Sequence, residues 1–185
     1  MIAGPNGAGK STFASAYLPA VGCGTFHNAD VIAAEMRPDD VASVAVAAGR
    51  EFLERVDASI KRRETFAVET TLSGKSYIRL IRDARLAGYE VSLSFVWVPT
   101  PEQSVERVAQ RVSVGGHHIP TDVVHRRHAL AIRNLFQRYI PLVNEWRLFD
   151  NSASPPRLIG IGLNDATDTE AFMRYYREGQ RPIKG

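Results

Sequence analysis

The sequence predicts an α/β protein: a parallel sheet of about five strands, helices on both of its faces, and a small helical lid. Three observations carry that expectation. Apolar runs of strand length alternate with helix-length amphipathic segments along almost the whole chain. A glycine-rich stretch, Gly4-Pro5-Asn6-Gly7-Ala8-Gly9-Lys10-Ser11, joins the first apolar run to the first helix. Two acids, Asp30 and Glu69, follow or end the second and third apolar runs, at the sheet edge where open α/β folds bind ligands.

Met1-Ile2-Ala3 is all that precedes the glycine-rich stretch. Strands usually run about five or six residues, so either the first strand is unusually short or the natural start lies upstream of Met1. The first helix is expected over Lys10 to Leu18, ended by Pro19 and Gly22. Gly24 to Asn28 reads as a short second strand that hands over through Asp30 to a short helix, Val31 to Met36. Pro38-Asp39-Asp40 is a helix-start signal. The helix it opens is long, Val41 to Arg63, with Phe52, Val56 and Ile60 along one face. Lys61-Arg62-Arg63 suits the negative end of that helix dipole and reads as a solvated terminus. Phe66 to Thr70 is a third strand, and Ser73 to Ala87 a helix closed by Gly88. Glu90 to Val98 is the clearest strand. Pro101 opens a helix to Val114, Gly115 to Pro120 is a flexible connector, and Thr121 to Val143 is a long helix. Trp146 to Phe149 is the expected fifth strand, Arg157 to Gly162 an edge strand, and Thr169 to Glu178 a last helix. The chain reads as one domain over 1–185, with its core motifs in 1–152 and a C-terminal strand and helix extension in 153–185.

Composition narrows the function classes. The 185 residues are 44% hydrophobic and 23% charged, enough for one buried core. No apolar run approaches the ~18 residues that span a bilayer, and the chain enters the glycine-rich loop too early for a signal peptide. The lone cysteine, Cys23, cannot close an internal disulfide, which suits a reducing cytoplasm. A net charge of +3 suits phosphate ligands or an acidic partner. Zinc spacings and aromatic–basic interleaving are absent, which argues against nucleic acid.

The glycine-rich stretch matches the phosphate-binding loop G-x-x-x-x-G-K-[ST] at every fixed position, with Thr12 behind it. Its glycines let successive N–H groups turn inward on an anion. Lys10 is the expected contact to the β- and γ-phosphates of ATP, and Ser11 the expected Mg²⁺ ligand. Two carboxylates near a bound γ-phosphate are unfavourable unless a metal or a substrate hydroxyl lies between. Asp30 and Glu69 therefore suggest a metal site with a general base, although Asp30 also fits an N-cap for the helix from Val31. Thr70, Thr71 and Ser73 form a hydroxyl cluster suited either to a substrate or to a capping turn. Arg107 and Arg111 lie four apart on one helix face, and Arg126 and Arg127 follow the Gly115-Gly116 hinge. Guanidinium groups beside a glycine hinge are what a closing lid needs. Solvated helix charge is the plain alternative for each arginine. Arg50 has the reach for a phosphate but equally suits the surface. A second Gly-Lys-Ser, Gly74-Lys75-Ser76, lacks the upstream glycine, because that position is Glu69.

The ordered set Gly4 to Thr12, Asn28-Ala29-Asp30, Glu69-Thr70-Thr71-Leu72-Ser73, Arg107 to Arg111, Gly115 to Pro120 and Asp150-Asn151-Ser152 resembles the zeta-toxin-like P-loop kinases of bacteria. The resemblance spans Met1 to Ser152. It implies an ATP- and Mg²⁺-dependent kinase whose acceptor in the toxins is a sugar hydroxyl of UDP-N-acetylglucosamine. By the same resemblance Asp30 activates the hydroxyl, Glu69 and Thr71 stand on the substrate side, and Arg111 with Arg107 are lid arginines. The connector here lacks an arginine directly before Pro120, so Arg126 or Arg127 is the alternative second lid residue. Three other readings stay open. One is a kinase of a nucleoside, polynucleotide or other metabolite. Another is a nucleotide-dependent ATPase or switch. The third is a binding component masked by a small acidic antitoxin.

Overall fold

The computed structural model describes residues 1–116 and 118–163. Six strands form one sheet, β1 (Ile2–Ala3), β2 (Thr25–His27), β3 (Phe66–Thr70), β4 (Ser92–Trp97), β5 (Glu145–Asp150) and β6 (Arg157–Leu163), in the order β2-β3-β1-β4-β5-β6. The first five run parallel and β6 closes the edge antiparallel to β5. Arg157–Leu163 thus adds a sixth strand to the five-strand core that the pattern predicts. The chain winds outward from β1 to one side through β2 and β3, then to the other through β4 and β5. The C-terminal edge of β1 is therefore the switch point where such sheets bind ligands.

Strands buried on both faces divide their side chains between two layers. On one face Ile2, Ala67 and Val96 pack with Phe13, Ala14 and Leu18 of α1 (Lys10–Ala20). On the other, Ala3, Phe95 and Trp97 pack with Ile81 and Ala84 of α4 (Ser76–Leu86) and with Ala131, Leu135 and Tyr139. A third cluster seats α2 (Ala29–Met36) and α3 (Ala45–Lys61) against Val68. The remaining helices are α5 (Pro101–Ser113) and α6 (Thr121–Asn134).

Several boundaries differ from those the pattern predicts, each for a local reason. Pro19 lies inside α1 instead of ending it. A proline in the last turn removes one bond, and the turn is closed by Gly22 N–H on Pro19 O at 3.1 Å and Cys23 N–H on Leu18 O at 2.9 Å. Gly22 takes the left-handed position that this closure requires, at φ 71°. The long helix of 41–63 splits into a 3₁₀ turn, Val41–Val44, and α3. The helix expected over 121–143 stops at Asn134 and continues as a π turn, Leu135–Tyr139, and a 3₁₀ turn, Ile140–Leu142. The helix expected from Ser73 starts at Ser76, because Leu72 turns the chain at φ 52°. The helix expected over 169–178 lies outside the described residues.

The central strand has two residues. Its ladder nevertheless begins at the first residue: the Met1 α-amino group donates to Ser92 O at 2.6 Å, and Ser94 N–H donates to Met1 O at 2.8 Å. Below Met1 a cavity of about 340 Å³ opens where β3 and β4 run on past β1, with Ala67, Val91 and Ser92 in its wall.

Candidate active site

Three strand ends build the site. β1 delivers the phosphate loop, whose first turn is fixed by Gly4 N–H on Thr70 O at 3.2 Å. Gly4 sits at φ 145° against the Val96 carbonyl, where any Cβ would collide with backbone. Gly9, at φ 83°, is the N-cap of α1, so the positive end of that helix faces the loop. A Cβ at Gly9 would run into the side-chain amide of Asn151.

Lys10 lies beneath the loop, 7% exposed, with its ammonium donating to Pro5 O at 3.1 Å and 3.7 Å from Glu69 Oε1. Burial pushes its pKa down; the charges of Glu69 and Asp30 oppose that, and Arg111 adds to it. Asp30 and Arg111 therefore both act on Lys10, from α2 and α5. The Ser11 hydroxyl donates to Glu69 Oε2 at 2.9 Å. Glu69 is one residue short of the end of β3, and its carboxylate is held by Ser11 and Lys10. That places the carboxylate beside the phosphate loop.

Asp30 does not cap α2. The cap is Asn28, whose Oδ1 accepts from Asp30 N–H at 2.8 Å. An asparagine there has the extended backbone that capping needs, φ −135° and ψ 118°. Asp30 is left on the first helical turn as an exposed carboxylate. After β3, the Thr71 and Ser73 hydroxyls bond each other at 2.8 Å, and Leu72 N–H donates to Thr70 Oγ1 at 3.1 Å.

The arginines separate. Arg111 is tied to the connector, since Gly116 N–H donates to Arg111 O at 2.9 Å and a Cβ at Gly116 would come within 2.5 Å of Arg111 Cγ. Arg107 turns the other way and donates from Nη2 to Ser152 O at 3.3 Å. That bond joins it to the loop after β5. Arg127 reaches the phosphate loop through Asn6 Oδ1 at 3.2 Å. Arg50 is exposed on α3, and no bond among the described residues ties it to the loop.

Asn151, singled out in the sequence only as part of the Asp150-Asn151-Ser152 stretch and without a role of its own, donates from Nδ2 to Ala8 O at 2.7 Å and from its N–H to Trp97 O at 2.8 Å. The available signal was its place directly after a strand, at the ligand edge. The remaining loop residues, Pro5, Asn6, Gly7, Ala8 and Thr12, occupy the expected turn and helix start.

The donor set fits a magnesium nucleotide. Ser11 gives its hydrogen to Glu69, which leaves its lone pairs for a hard cation. Among the described residues, no three His, Cys, Asp or Glu are grouped to hold a metal. A cation here would therefore complete its shell with phosphate oxygens and water, as Mg²⁺ ordinarily does. No helix among the described residues is long and apolar enough to cross a membrane.

Comparison with known proteins agrees with this architecture. A family described as an AAA domain, AAA_33, matches residues 1–135. An uncharacterized protein of Haemophilus influenzae is 34% identical over 125 residues, 68% of this chain and 88% of that one. A chain of the AvrRxo1-ORF1:-ORF2 crystal structure with ATP superposes with a TM-score of 0.68 at 20% identity, covering 99% of this chain and 64% of its own length. A chain from the PezAT chromosomal toxin–antitoxin system of Streptococcus pneumoniae gives 0.67 at 17% identity, covering 92% and 75%. At these identities the two solved structures share the fold with this chain, which spans under two thirds of the first. The family match begins with the phosphate loop and takes in β1 to β4 and all of α1 to α6, and on that ground the chain belongs to the AAA domain family of P-loop proteins.

Proposed function

We propose that this protein is an ATP- and Mg²⁺-dependent kinase that phosphorylates a hydroxyl of a small molecule. One arrangement carries the reading: a buried loop lysine, Lys10, held 3.7 Å from Glu69 Oε1, lies within the electrostatic reach of an exposed carboxylate, Asp30, and of a guanidinium, Arg111. An exposed carboxylate near the loop lysine suits activation of an acceptor hydroxyl; in a hydrolase the same group would activate water, and the water control below separates the two. In the proposed step the acceptor hydroxyl loses its proton to Asp30 as its oxygen bonds the γ-phosphorus. The bond from that phosphorus to the β–γ bridging oxygen breaks, and ADP leaves. Lys10 and Arg111 hold the charge on the transferred group. Bound Mg²⁺ would neutralise phosphate charge, with Ser11 as its protein ligand and Glu69 fixing that hydroxyl.

The paired hydroxyls of Thr71 and Ser73 and the resemblance to zeta-toxin-like kinases support a polyhydroxylated acceptor. A sugar hydroxyl of UDP-N-acetylglucosamine is the first candidate. The PezAT likeness supports a small acidic antitoxin as partner, and Cys23 a reducing cytoplasm. The test is transfer from radiolabelled ATP to UDP-sugars, nucleosides and oligonucleotides, with water as control, for wild type and Asp30→Asn. The substitution leaves the Asn28 cap in place, so the variant should fold and bind ATP. Loss of a general base should slow transfer by about 10²–10⁴-fold. Transfer by Asp30→Asn at the wild-type rate would remove Asp30 from the mechanism, and release to water alone would make the protein an ATPase.

A further inference from the structure

The loop between β3 and α4 carries Thr71 and Ser73, and it is held in an unusual way. Leu72 has φ 52°, a left-handed conformation that a non-glycine residue adopts only when its surroundings hold it there. It is 1% exposed, so its side chain is anchored in the core. Two donors grip the carbonyls on either side of the turn. Buried Asn134 donates from Nδ2 to Leu72 O at 2.7 Å, and the Tyr139 hydroxyl donates to Gly74 O at 2.9 Å.

Asn134 and Tyr139 are five residues apart. On an α-helix that spacing turns about 140° around the axis, so one regular helix could not aim both at one loop. The chain here is not a regular helix. Leu135–Tyr139 is a π turn, and Ile140 N–H bonds back to Leu135 O. Bonding from i to i+5 brings residues five apart close to one face, and π turns recur at functional sites. The helix distortion and the strained loop thus meet at the same two hydrogen bonds. The segment that makes them continues from α6, which also reaches the phosphate loop through Arg127 and Asn6 and the end of β4 through His128, whose Nε2 lies 3.0 Å from Val98 O. One continuous run of chain therefore touches the nucleotide loop from the middle of α6 and the hydroxyl loop from its C-terminal end and the π turn beyond.

We propose that Asn134 and Tyr139 are positioning residues that, through the π turn, clamp the 71–74 turn and so set acceptor binding, while the nucleotide loop keeps its own ties to Thr70 and Arg127. The acceptor half of this inference rests on the kinase reading, while the clamp itself does not. Two variants test it. Tyr139→Phe removes one hydroxyl and keeps the packing; Asn134→Leu removes the amide donor at similar volume. Tyr139→Phe decides the matter if Asn134→Leu does not fold. Amide hydrogen exchange at Thr71–Ser76 should quicken at least tenfold in both, with exchange across Phe13–Leu18 unchanged. In transfer assays the acceptor KM should rise about tenfold, with KM for ATP within twofold of wild type. Unchanged loop exchange, uniform quickening over the whole protein, or equal shifts in both KM values would overturn the clamp. If wild type phosphorylates no acceptor, the kinase reading fails, and the exchange experiment still decides whether these residues hold the loop.

Discussion

The start of the sheet allows a stability prediction worked from one group. Although the Met1 side chain is partly exposed, its α-amino nitrogen is enclosed between β3 and β4, and burial lowers its pKa from 8.0 to about 6. The unfolded chain takes up a proton there below pH 8, whereas the folded chain takes it up only below about pH 6. Stability from this group is therefore complete above pH 8, falls as the pH drops to 6, and levels off below. Two units at ~1.4 kcal/mol each make the loss about 3 kcal/mol. The perturbation is a Val-Val extension ahead of Met1. In the register that sets Ile2 beside Glu69, the added pair continues β1 beside Ala67 and Phe66, enters the cavity there, and replaces the ammonium with an amide. Urea denaturation midpoints measured at pH 8.5 and 5.5 give the comparison. His27 and His128, both lowered by burial, weaken both versions alike at low pH and cancel in the difference. The original chain should lose about 3 kcal/mol more than the extended one, roughly 6–12 °C in Tm at this size. Equal pH slopes in the two versions would mean that the amino group is hydrated and the argument fails.

Two further predictions concern the site. Arg111→Lys keeps the charge but loses the planar fork, so kcat should fall at least tenfold with nucleotide affinity nearly unchanged, whereas Arg107→Lys, already turned to Ser152, should be mild; single-turnover transfer and ATP titration compare them, and the reverse order would exchange their roles. Asn151→Ala frees the Ala8 carbonyl from its 2.7 Å donor, so the phosphate loop should loosen and ATP affinity fall about 5- to 30-fold, on the order of 1–2 kcal/mol, as read by calorimetry; unchanged affinity would show that the loop holds its shape unaided.

The parts legible in the sequence are those whose cause is local. Phe66–Thr70 is found to the residue, because a buried apolar run can form little else between a helix end and a turn. The phosphate loop is legible because its glycines, Lys10 and Ser11 each have a fixed position. The site's supports are not local. Asn151 and Ala8 meet across 143 residues, and Arg127 and Asn6 across 121, distances over which no periodicity speaks. Glu69 stands out as an acid at the ligand edge, but only the fold shows that Ser11 and Lys10 hold it. The end of α6 was hidden for a different reason. An apolar stripe reads alike whether the backbone bonds from i to i+4 or to i+5 over one turn, so the shift at Leu135 leaves no mark in composition. Asp30 fits a cap in the sequence as well as Asn28 does, because both residue types are favoured there, and two residues of helix boundary decide between them.

The long reach of those supports has a consequence for biosynthesis. The loop's own residues leave the ribosome well before the side chains that brace it, Arg127 and Asn151. The middle strand likewise waits for neighbours that begin at Phe66 and Ser92. Contacts of such separation close late and slowly. A nascent chain would therefore expose its complete Gly4–Ser11 signature while still lacking the frame that shapes it. Nucleotide affinity would rise as β5 docks and brings Asn151 to Ala8, so an incomplete chain would carry the motif with weaker capture.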